Sequence, residues 1–154
     1  MKEVKSTHIG SYGVIKENEK ILLIKKARGG YKGKLDLPGG GIEFFETPEE
    51  ALIREIKEET GLDVINFKIL DAISKNFKWQ MTEKIIEDLH HLGILYHVKA
   101  KGKIKSEPDG LDSLGAKWYK INSLKKEELT PFAFYALGKL GYKGLEENGR
   151  ISRD

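Results

Sequence analysis

Residues 46–62 read ETPEEALIREIKEETGL and carry the strongest helix signals in the chain. Thr47 can cap the helix N-terminus, Pro48 suits the first helical position, and Glu50 completes a capping box with Thr47. Gly61 is placed to end the helix, because glycine adopts the left-handed conformation of a helix C-terminus without strain. The sequence therefore predicts one helix between Thr47 and Gly61, and the rest of the fold can be placed around it.

One face of this helix is acidic. Glu55, Glu58 and Glu59 stand at positions i, i+3 and i+4, so their carboxylates converge. Like charges at this spacing destabilise a helix by a few tenths of a kcal/mol per pair, and a divalent cation would remove the repulsion. Oxygen ligands without sulfur or imidazole suit Mg²⁺ or Mn²⁺. The alternative is a solvated acidic face, in which Arg54 pairs with Glu50 and Glu58.

A glycine run and a basic loop precede the helix. Residues 37–41 read LPGGG, and consecutive glycines let backbone groups approach a phosphate or a metal closely. Cations next to a carboxylate-rich helix suit a complex of phosphate with metal. The cations of the loop are Lys25, Lys26, Arg28, Lys32 and Lys34. Among them, we expect Arg28 and Lys34 to contact substrate phosphate.

Strand patterns flank the helix on both sides. The apolar run at residues 21–24 is typical of a strand that is covered on both faces. Leu52, Ile53 and Ile56 lie on one side of the helix and are expected to face the sheet. Strands are predicted over residues 8–15, 20–27, 63–72, 91–100 and 116–121, with a turn at 17–19, a loop over 28–41 and a second helix from Thr130 to about Leu140. The pattern predicts an α/β (α+β) sandwich, with one domain over residues 1–145 and a frayed tail over 146–154.

Length and composition narrow the class of protein. The chain has 154 residues, 33% charged and 39% hydrophobic, which suits a single domain with its own core. Because there is no cysteine, disulfide scaffolds, cysteine–zinc sites and thiol nucleophiles are excluded. No apolar run reaches the roughly 18–20 residues that cross a bilayer, and no secretory signal is visible. We expect a cytoplasmic protein without membrane contact. The formal net charge of +3 suits anionic ligands and does not favour duplex nucleic acid.

The glycine run and the helix together form a motif. The chain reads Gly40-x5-Glu46-x7-Arg54-Glu55-Ile56-x-Glu58-Glu59-x-Gly61-Leu62, which matches each fixed position of the Nudix box. The chain therefore resembles the MutT-like Nudix hydrolases. The resemblance implies an αβα sandwich with a mixed sheet. It also implies Mg²⁺-dependent hydrolysis of a nucleoside diphosphate linked to another group, with water attacking phosphorus.

The resemblance also assigns roles within the box. It implies that Glu58 and Glu59 are the main metal ligands, with the Gly39 carbonyl as a third. Glu55 would be a metal ligand or the base that activates water, and Arg54 would orient it. Glu46 would support the loop or bind a further metal. In some members the base lies on a later loop, where Glu107, Asp109 and Asp112 are the candidates here.

Two positions depart from the usual family pattern. Phe45 stands where many members carry glycine, and Leu35 stands where many carry tryptophan. Both lie outside the fixed box, so they bear on the loop shape and the pocket wall. His90, His91 and His97 are expected at ordinary strand positions rather than at a metal site. A base-stacking platform could come from the aromatic residues Tyr31, Phe44, Phe45, Phe77, Trp79 and Phe132.

Two further functions stay open beside hydrolysis of a small nucleotide. One is a non-catalytic nucleotide-sensing module on the same fold, although such a copy should have lost a box glutamate, and all are present. The other is pyrophosphate hydrolysis at RNA 5′ ends, which the basic balance allows. The sequence does not decide the substrate, the number of metals or whether the chain forms a homodimer.

Overall fold

Strands dominate the structure. The computed structural model describes residues 1–108, 110, 113–145 and 151–153. The strands are β1 (Lys2–Val14), β2 (Lys16–Glu17), β3 (Lys20–Lys26), β4 (Leu35–Asp36), β5 (Gly39–Gly41), β6 (Asp63–Gln80), β7 (Ile85–Lys101), β8 (Ser113–Lys120), β9 (Tyr142–Leu145) and β10 (Ile151–Arg153). The helices are α1 (Pro48–Thr60) and α2 (Pro131–Lys139), with 3₁₀ turns at Ile121–Ser123 and Lys126–Glu128.

Two sheets form the body of the domain. The first has the strand order β5-β1-β7-β6, in which β1 and β7 are parallel and the other neighbours are antiparallel. The second is centred on β3, which pairs antiparallel with β2, β4 and β8. Strands β9 and β10 form a separate two-stranded ribbon. The sheet is therefore mixed, as the resemblance implied.

Two hydrophobic cores lie on opposite faces of β3. Ile21 and Leu23 belong to the core that also contains residues of α2, whereas Leu22 and Ile24 belong to the core that contains residues of α1. Successive residues of a strand point to opposite faces, so β3 is buried on both sides. This confirms the prediction from the apolar run, and it makes the fold an αβα sandwich.

The signals at both ends of helix α1 are confirmed. The Glu50 amide donates to the Thr47 hydroxyl at 3.1 Å, and the Thr47 amide donates to the Glu50 carboxylate at 2.9 Å. Gly61 ends the helix with a φ of 80°. The apolar face of α1 is narrower than the sequence predicted. Ile56 is buried, but Ile53 leaves 44% of its surface exposed and does not join the core that contains Leu52 and Ile56.

Several strand boundaries differ from the predictions. Strand β1 starts at Lys2, β6 reaches Gln80, and β7 starts at Ile85, so all three are longer than expected. Much of these extensions is exposed, so they show no apolar alternation, and pairing with neighbouring strands stabilises them. The predicted loop over 28–41 contains β4 and β5. Of the tail predicted over 146–154, residues 146–150 and 154 lie outside the described residues, and Ile151–Arg153 pair with β9.

No helix among the described residues is both long enough and apolar enough to span a lipid bilayer.

Candidate active site

Strand β5 presents alternate backbone groups to helix α1. It pairs antiparallel with β1, with Gly40 opposite Ser11. The flanking bonds run from the Gly13 amide to the Pro38 carbonyl and from the Ile42 amide to the Ile9 carbonyl. In an antiparallel pair, hydrogen-bonded and non-hydrogen-bonded residue pairs alternate along the strands. The residues of a non-hydrogen-bonded pair direct their amide and carbonyl groups away from the partner strand. The backbone groups of Gly39 and Gly41 therefore point away from β1.

The Gly39 amide binds a helix carboxylate. It donates to Glu59 Oε1 at 2.7 Å, and only 3% of the Glu59 residue surface is exposed. Gly39 has a φ of 149°, and a Cβ atom there would lie 2.1 Å from the Ser11 carbonyl oxygen. Only glycine fits between β1 and the Glu59 carboxylate, since the close atom is fixed backbone.

The next glycine makes room for a second carboxylate. A Cβ atom on Gly40 would lie 2.6 Å from Cδ of Glu55 and within 2.8 Å of both its carboxylate oxygens. The Glu55 side chain is therefore seated directly on the Gly40 backbone, with 16% of its surface exposed. Glu55 and Glu59 thus flank consecutive glycines of β5.

Arg54 connects the acidic residues of the box. Its Nε and Nη2 atoms donate to the two Glu46 oxygens at 2.7 and 2.8 Å, a bidentate pair. Nη1 donates to Glu55 Oε1 at 2.9 Å, and Nη2 also donates to the Gly41 carbonyl at 3.0 Å. Glu58 Oε2 lies 3.4 Å from Nη1. A planar guanidinium suits this arrangement because its donors are held in a fixed fork.

The surroundings move two carboxylate pKa values in opposite directions. Hydrogen bonds from Arg54, and one from the Glu43 amide, lower the pKa of Glu46 to about 2. Burial raises the pKa of Glu59 well above its usual value, and the Glu55 carboxylate adds to the increase, while the Gly39 amide opposes it. Glu46 is therefore a permanently charged partner of Arg54, whereas the charge on Glu59 is unfavourable unless a cation offsets it.

The three carboxylates predicted to converge are not equivalent. Glu55 and Glu59 lie against β5, whereas 57% of the Glu58 side chain is exposed and its carboxylate turns towards Arg54. Within the described parts of the chain, no three acidic or histidine side chains are arranged to hold one metal ion. Glu46 contacts Arg54 and the Glu43 amide, so it supports the loop.

The loop that follows β7, which carries the other candidates for the base, lies beside the end of α1. Lys105 donates from its backbone amide to the Thr60 carbonyl at 2.7 Å, and from Nζ to the Glu58 carbonyl at 2.8 Å. Glu107, two residues further on, is exposed. Asp109 and Asp112, the other candidates for the base, lie outside the described residues.

Buried polar contacts fix the position of the glycine strand. The Ser11 hydroxyl donates to the Pro48 carbonyl at 2.7 Å and ties β1 to the start of α1. On the other side, the buried Asp36 carboxylate accepts from the Thr130 hydroxyl at 2.6 Å and from the Leu37 amide at 2.8 Å. Because Thr130 also caps α2, the chain leading into Gly39 is fixed to both helices.

A histidine cluster, which no sequence motif assigned to the site, adjoins β5. The His91 Nε2 atom lies 2.8 Å from the Tyr12 hydroxyl, and its ring stacks on that of His8 at 5.1 Å between centroids. His8 in turn lies 3.0 Å from the Cβ position of Gly41. Burial, and to a lesser degree the charges of His8 and Lys26, lower the pKa of His91 to about 3. His91 is therefore neutral near pH 7. No sequence signal marked it, because its partners come from other strands.

An aromatic cleft of about 910 Å³ continues from this cluster. Tyr31 stacks between the His91 ring at 6.5 Å and the Phe77 ring at 4.6 Å, and it forms part of the cleft wall. The residues that line the cleft are Tyr31, Lys34, Lys75, Phe77, Lys126, Glu127, Leu129, Thr130, Pro131, Phe134, Tyr135, Gly138 and Lys139. Tyr31 and Phe77, two members of the aromatic set predicted as a base platform, therefore meet here.

The remaining aromatic candidates lie elsewhere. Phe132 packs against His91 at 4.4 Å, and Trp79 bonds through Nε1 to Glu87 at 2.7 Å. Phe44 and Phe45 protrude from the loop before α1, with 92% and 100% of their surfaces exposed. Phe45 has a φ of 65°, so it adopts the left-handed conformation for which glycine is suited.

The two basic candidates occupy different places. Lys34 lines the cleft and donates to the Glu127 carbonyl at 2.8 Å, whereas Arg28 lies exposed in the loop after β3. Lys26 is the lysine whose charge acts on Glu59 and on Asp36. The sequence placed Lys26 in the basic loop but did not single it out. Leu35, the other departure from the family pattern, is buried in the core of α2.

The comparisons with known proteins agree with this geometry. The NUDIX domain family matches residues 7–139, so the chain belongs to the MutT-like Nudix hydrolase family. The 8-oxo-dGTP diphosphatase of Escherichia coli is 26% identical over 130 residues, covering 83% of this chain and 92% of that protein. The MutT NUDIX hydrolase of Burkholderia pseudomallei has a structure with a TM-score of 0.71 and 26% identity, covering 88% of this chain and 98% of that one.

The chain corresponds to only part of some other relatives. A nudix hydrolase of Caenorhabditis elegans is 33% identical over 113 residues, which are 73% of this chain but 28% of that protein. The ADP-ribose pyrophosphatase of Methanocaldococcus jannaschii is 58% identical over 50 residues, which are 32% of this chain and 30% of that protein. The chain thus spans less than a third of the length of both proteins.

Proposed function

We propose that the chain is a Mg²⁺-dependent pyrophosphohydrolase that cleaves a nucleoside diphosphate linked to another group. One observation carries the proposal: Glu59 binds the Gly39 amide while Glu55 is seated on Gly40, so two carboxylates flank backbone that can approach a phosphate. A structural role alone does not explain why a buried carboxylate with a raised pKa stands next to a second one.

The donor set fits a hard divalent cation. Carboxylate and backbone oxygens line Gly39, Gly40 and the facing side of α1, and such oxygens suit Mg²⁺ or Mn²⁺. A cation would offset the cost of the charge on Glu59, and the Gly39 carbonyl would supply a further ligand, together with Glu58 once its carboxylate turns away from Arg54. When bound, the metal would neutralise phosphate oxygens and lower the pKa of a water molecule.

The residues of the chain would then divide the remaining tasks. Glu55 accepts the proton of the attacking water, because its carboxylate is held in place by Gly40 and Arg54. Arg54 orients Glu55 and is itself fixed by the permanently charged Glu46. Lys26 adds positive charge that acts on Glu59. Positioning of this kind accounts for most catalysis of phosphoryl transfer.

Glu55 is favoured as the base over Glu107. Glu55 is largely buried against the glycine strand, whereas Glu107 is exposed on a loop whose Lys105 contacts the end of α1. Asp109 and Asp112 remain alternatives from the sequence. A base must lie within hydrogen-bond reach of the proton that it removes, which a half-buried group next to the phosphate site satisfies best.

The aromatic cleft supports a nucleotide as the substrate. Phe77 is half-buried in the cleft wall and offers a surface on which a base can stack, and ring contacts lead from it through Tyr31, His91 and His8 to β5. The names of the relatives point in the same direction, since they include an 8-oxo-dGTP diphosphatase and an ADP-ribose pyrophosphatase. A structural neighbour with 16% identity was solved in complex with ADP ribose, and it supports the fold alone.

A substrate panel tests the proposal. The protein is incubated with Mg²⁺ and nucleoside triphosphates, sugar nucleotides, dinucleoside polyphosphates and 5′-triphosphorylated RNA, and the products are identified by chromatography. We expect at least one member to be cleaved at a phosphoanhydride bond, at a rate that depends on Glu55. A panel without any cleavage, together with tight nucleotide binding, would instead identify a nucleotide-sensing module.

A further inference from the structure

The rim of the aromatic cleft is rich in lysine. Four lysines, namely Lys34, Lys75, Lys126 and Lys139, line the cleft together with one acidic residue, Glu127. Their net charge of +3 equals the formal net charge of the entire chain. The rim of the cleft is therefore a cationic surface, which favours anionic ligands.

Two of these lysines are available to a ligand. Lys139 lies 3.6 Å from the Asp71 carboxylate, and Lys34 donates to a backbone carbonyl. In contrast, Lys75 and Lys126 form no ion pair with any residue that the structure describes. The Lys126 ammonium lies 5.0 Å from the centre of the Phe134 ring, above the apolar floor of the cleft.

The lysine rim is separate from the carboxylates of the box. Lys126 and Lys139 come from α2 and the turn before it, and α2 packs in one core. Glu55 and Glu59 come from α1, which packs in the other core, across β3. Lys126 and Lys139 therefore belong to the α2 layer of the sandwich, whereas the box carboxylates belong to the α1 layer. Ring contacts from Tyr31 through His91 to His8, which adjoins Gly41, connect the cleft to the glycine strand.

We propose that the lysine rim is a second anion subsite, so that the preferred substrate carries a phosphate ester in addition to its diphosphate. The base would stack in the cleft, and the additional phosphate, on the ribose 3′ side, would lie among the lysines. The inference rests on the proposed function for the diphosphate end. Ammonium groups bind phosphate as point charges and tolerate several geometries, which suits a rim of flexible lysines.

Two kinds of compound carry such an additional phosphate, and they are the two possible sources of the ligand. The additional phosphate can be a 3′-phosphate of a free nucleotide, or the first phosphodiester of an oligonucleotide with a 5′-triphosphate. In both, a negative charge lies one nucleoside away from the scissile anhydride. The two sources differ in whether a further nucleoside is attached to that phosphate.

Binding without hydrolysis tests the subsite directly. Calorimetry compares adenosine 3′,5′-bisphosphate with AMP, and the corresponding guanosine pair, none of which contains an anhydride. We expect the bisphosphate of at least one base to bind about five- to tenfold more tightly, as two exposed ion pairs allow. The Lys75→Gln/Lys126→Gln variant should bring this ratio close to one. The Lys20→Gln/Lys120→Gln variant removes the same charge outside the cleft and should keep it. The proposal would be overturned if the bisphosphate and the monophosphate of each base bound equally well. It would also be overturned if the Lys75→Gln/Lys126→Gln variant kept the preference for the bisphosphate.

Turnover then distinguishes the sources. The kcat/KM for ATP is compared with that for 3′-phosphorylated ATP and for the dinucleotide pppApA, together with their guanine counterparts. A gain for the 3′-phosphate alone identifies a free nucleotide, and a gain for the dinucleotide alone identifies an RNA 5′ end. If no compound is hydrolysed while the binding ratio is as expected, the proposed function fails and the anion subsite stands.

Discussion

The Gly39 amide and the Glu59 carboxylate, 20 residues apart in the sequence, are joined by a hydrogen bond of 2.7 Å. This contact fixes the end of α1 to the glycine strand, and it places a buried acidic group at the backbone where a phosphate can approach. The neighbouring pair, Gly40 and Glu55, repeats the relationship through van der Waals contact. Glycine is therefore required at both positions for different reasons: at position 40 by the Glu55 carboxylate, and at position 39 by the Ser11 backbone of β1.

Alanine substitutions at these glycines should separate fold from function. In Gly40→Ala the new Cβ meets the movable Glu55 carboxylate at 2.6 Å, so turnover should fall by roughly 100-fold while stability falls by less than about 1 kcal/mol. In Gly39→Ala the Cβ meets fixed backbone at 2.1 Å, so unfolding should become easier by roughly 2–4 kcal/mol. Denaturant unfolding and steady-state kinetics measure both. Equal loss of stability in the two variants would contradict the geometry.

Amide substitutions should divide the roles of the carboxylates. Glutamine at position 59 can still accept the Gly39 hydrogen bond, so Glu59→Gln should keep the apo stability but weaken Mg²⁺ binding and turnover together. Glu55→Gln should reduce turnover more than Mg²⁺ affinity, since its proposed task is proton removal. Calorimetry with Mg²⁺ alone and rate measurements at saturating Mg²⁺ make the comparison. If Glu55→Gln leaves the rate nearly intact, Glu107, Asp109 and Asp112 become the candidates, and the same substitution at each identifies the base.

Lysine cannot replace Arg54 in this site. The guanidinium holds Glu46 with two bonds while it also contacts Glu55 and Gly41, and an ammonium cannot form this fork. Arg54→Lys should therefore lower kcat roughly 10- to 100-fold, because Glu55 loses its orientation. Kinetics under saturating substrate measure the effect. Lys57→Arg is the control, since Lys57 pairs with Asp63 on the surface, and it should leave kcat unchanged.

The buried His91 should make the protein acid-sensitive. Its native pKa of about 3 lies below the roughly 6.5 of an unfolded histidine, so between these values the unfolded chain binds a proton that the native protein does not. Stability should thus fall by up to about 1.4 kcal/mol per pH unit as the pH decreases from 6.5 towards 3. His91→Gln cannot titrate and should show a shallower decline. Thermal unfolding at pH 7, 6, 5 and 4.5 provides the comparison, and parallel curves for the two proteins would refute this role.

Local signals were sufficient to predict the helix and the box. The capping box, Pro48 and Gly61 act within α1 itself. The apolar run at residues 21–24 is enough to predict a strand that is buried on both faces. The lengths of β6 and β7 could not be predicted, because their exposed faces lack apolar alternation and depend on pairing with each other and with β1. The same limit applies to β4 and β5, whose pairing partners are distant in the sequence.

The site shows a similar division. Spacing along one helix placed Glu55 and Glu59 together, but it could not show that Glu58 turns outward to Arg54 or that Glu59 is buried. The cluster around His91 joins β1 and β7 with residues of α2, and no periodicity within one element predicts such a meeting. Phe45 is a different case. Many family members carry glycine at this position, so the sequence indicated an unusual loop, and the Phe45 backbone has a positive φ.

The dependence of turnover on a divalent cation tests the central claim most directly. With the best substrate of the panel, the rate is measured after exhaustive treatment with EDTA, and again as Mg²⁺ is added back, for the wild type and for Glu58→Gln/Glu59→Gln. We predict no turnover in chelator and full recovery with Mg²⁺ for the wild type, and no recovery at the same Mg²⁺ concentration for the double variant. Full turnover of the wild type in excess EDTA, or Mg²⁺ recovery of the double variant, would contradict the claim.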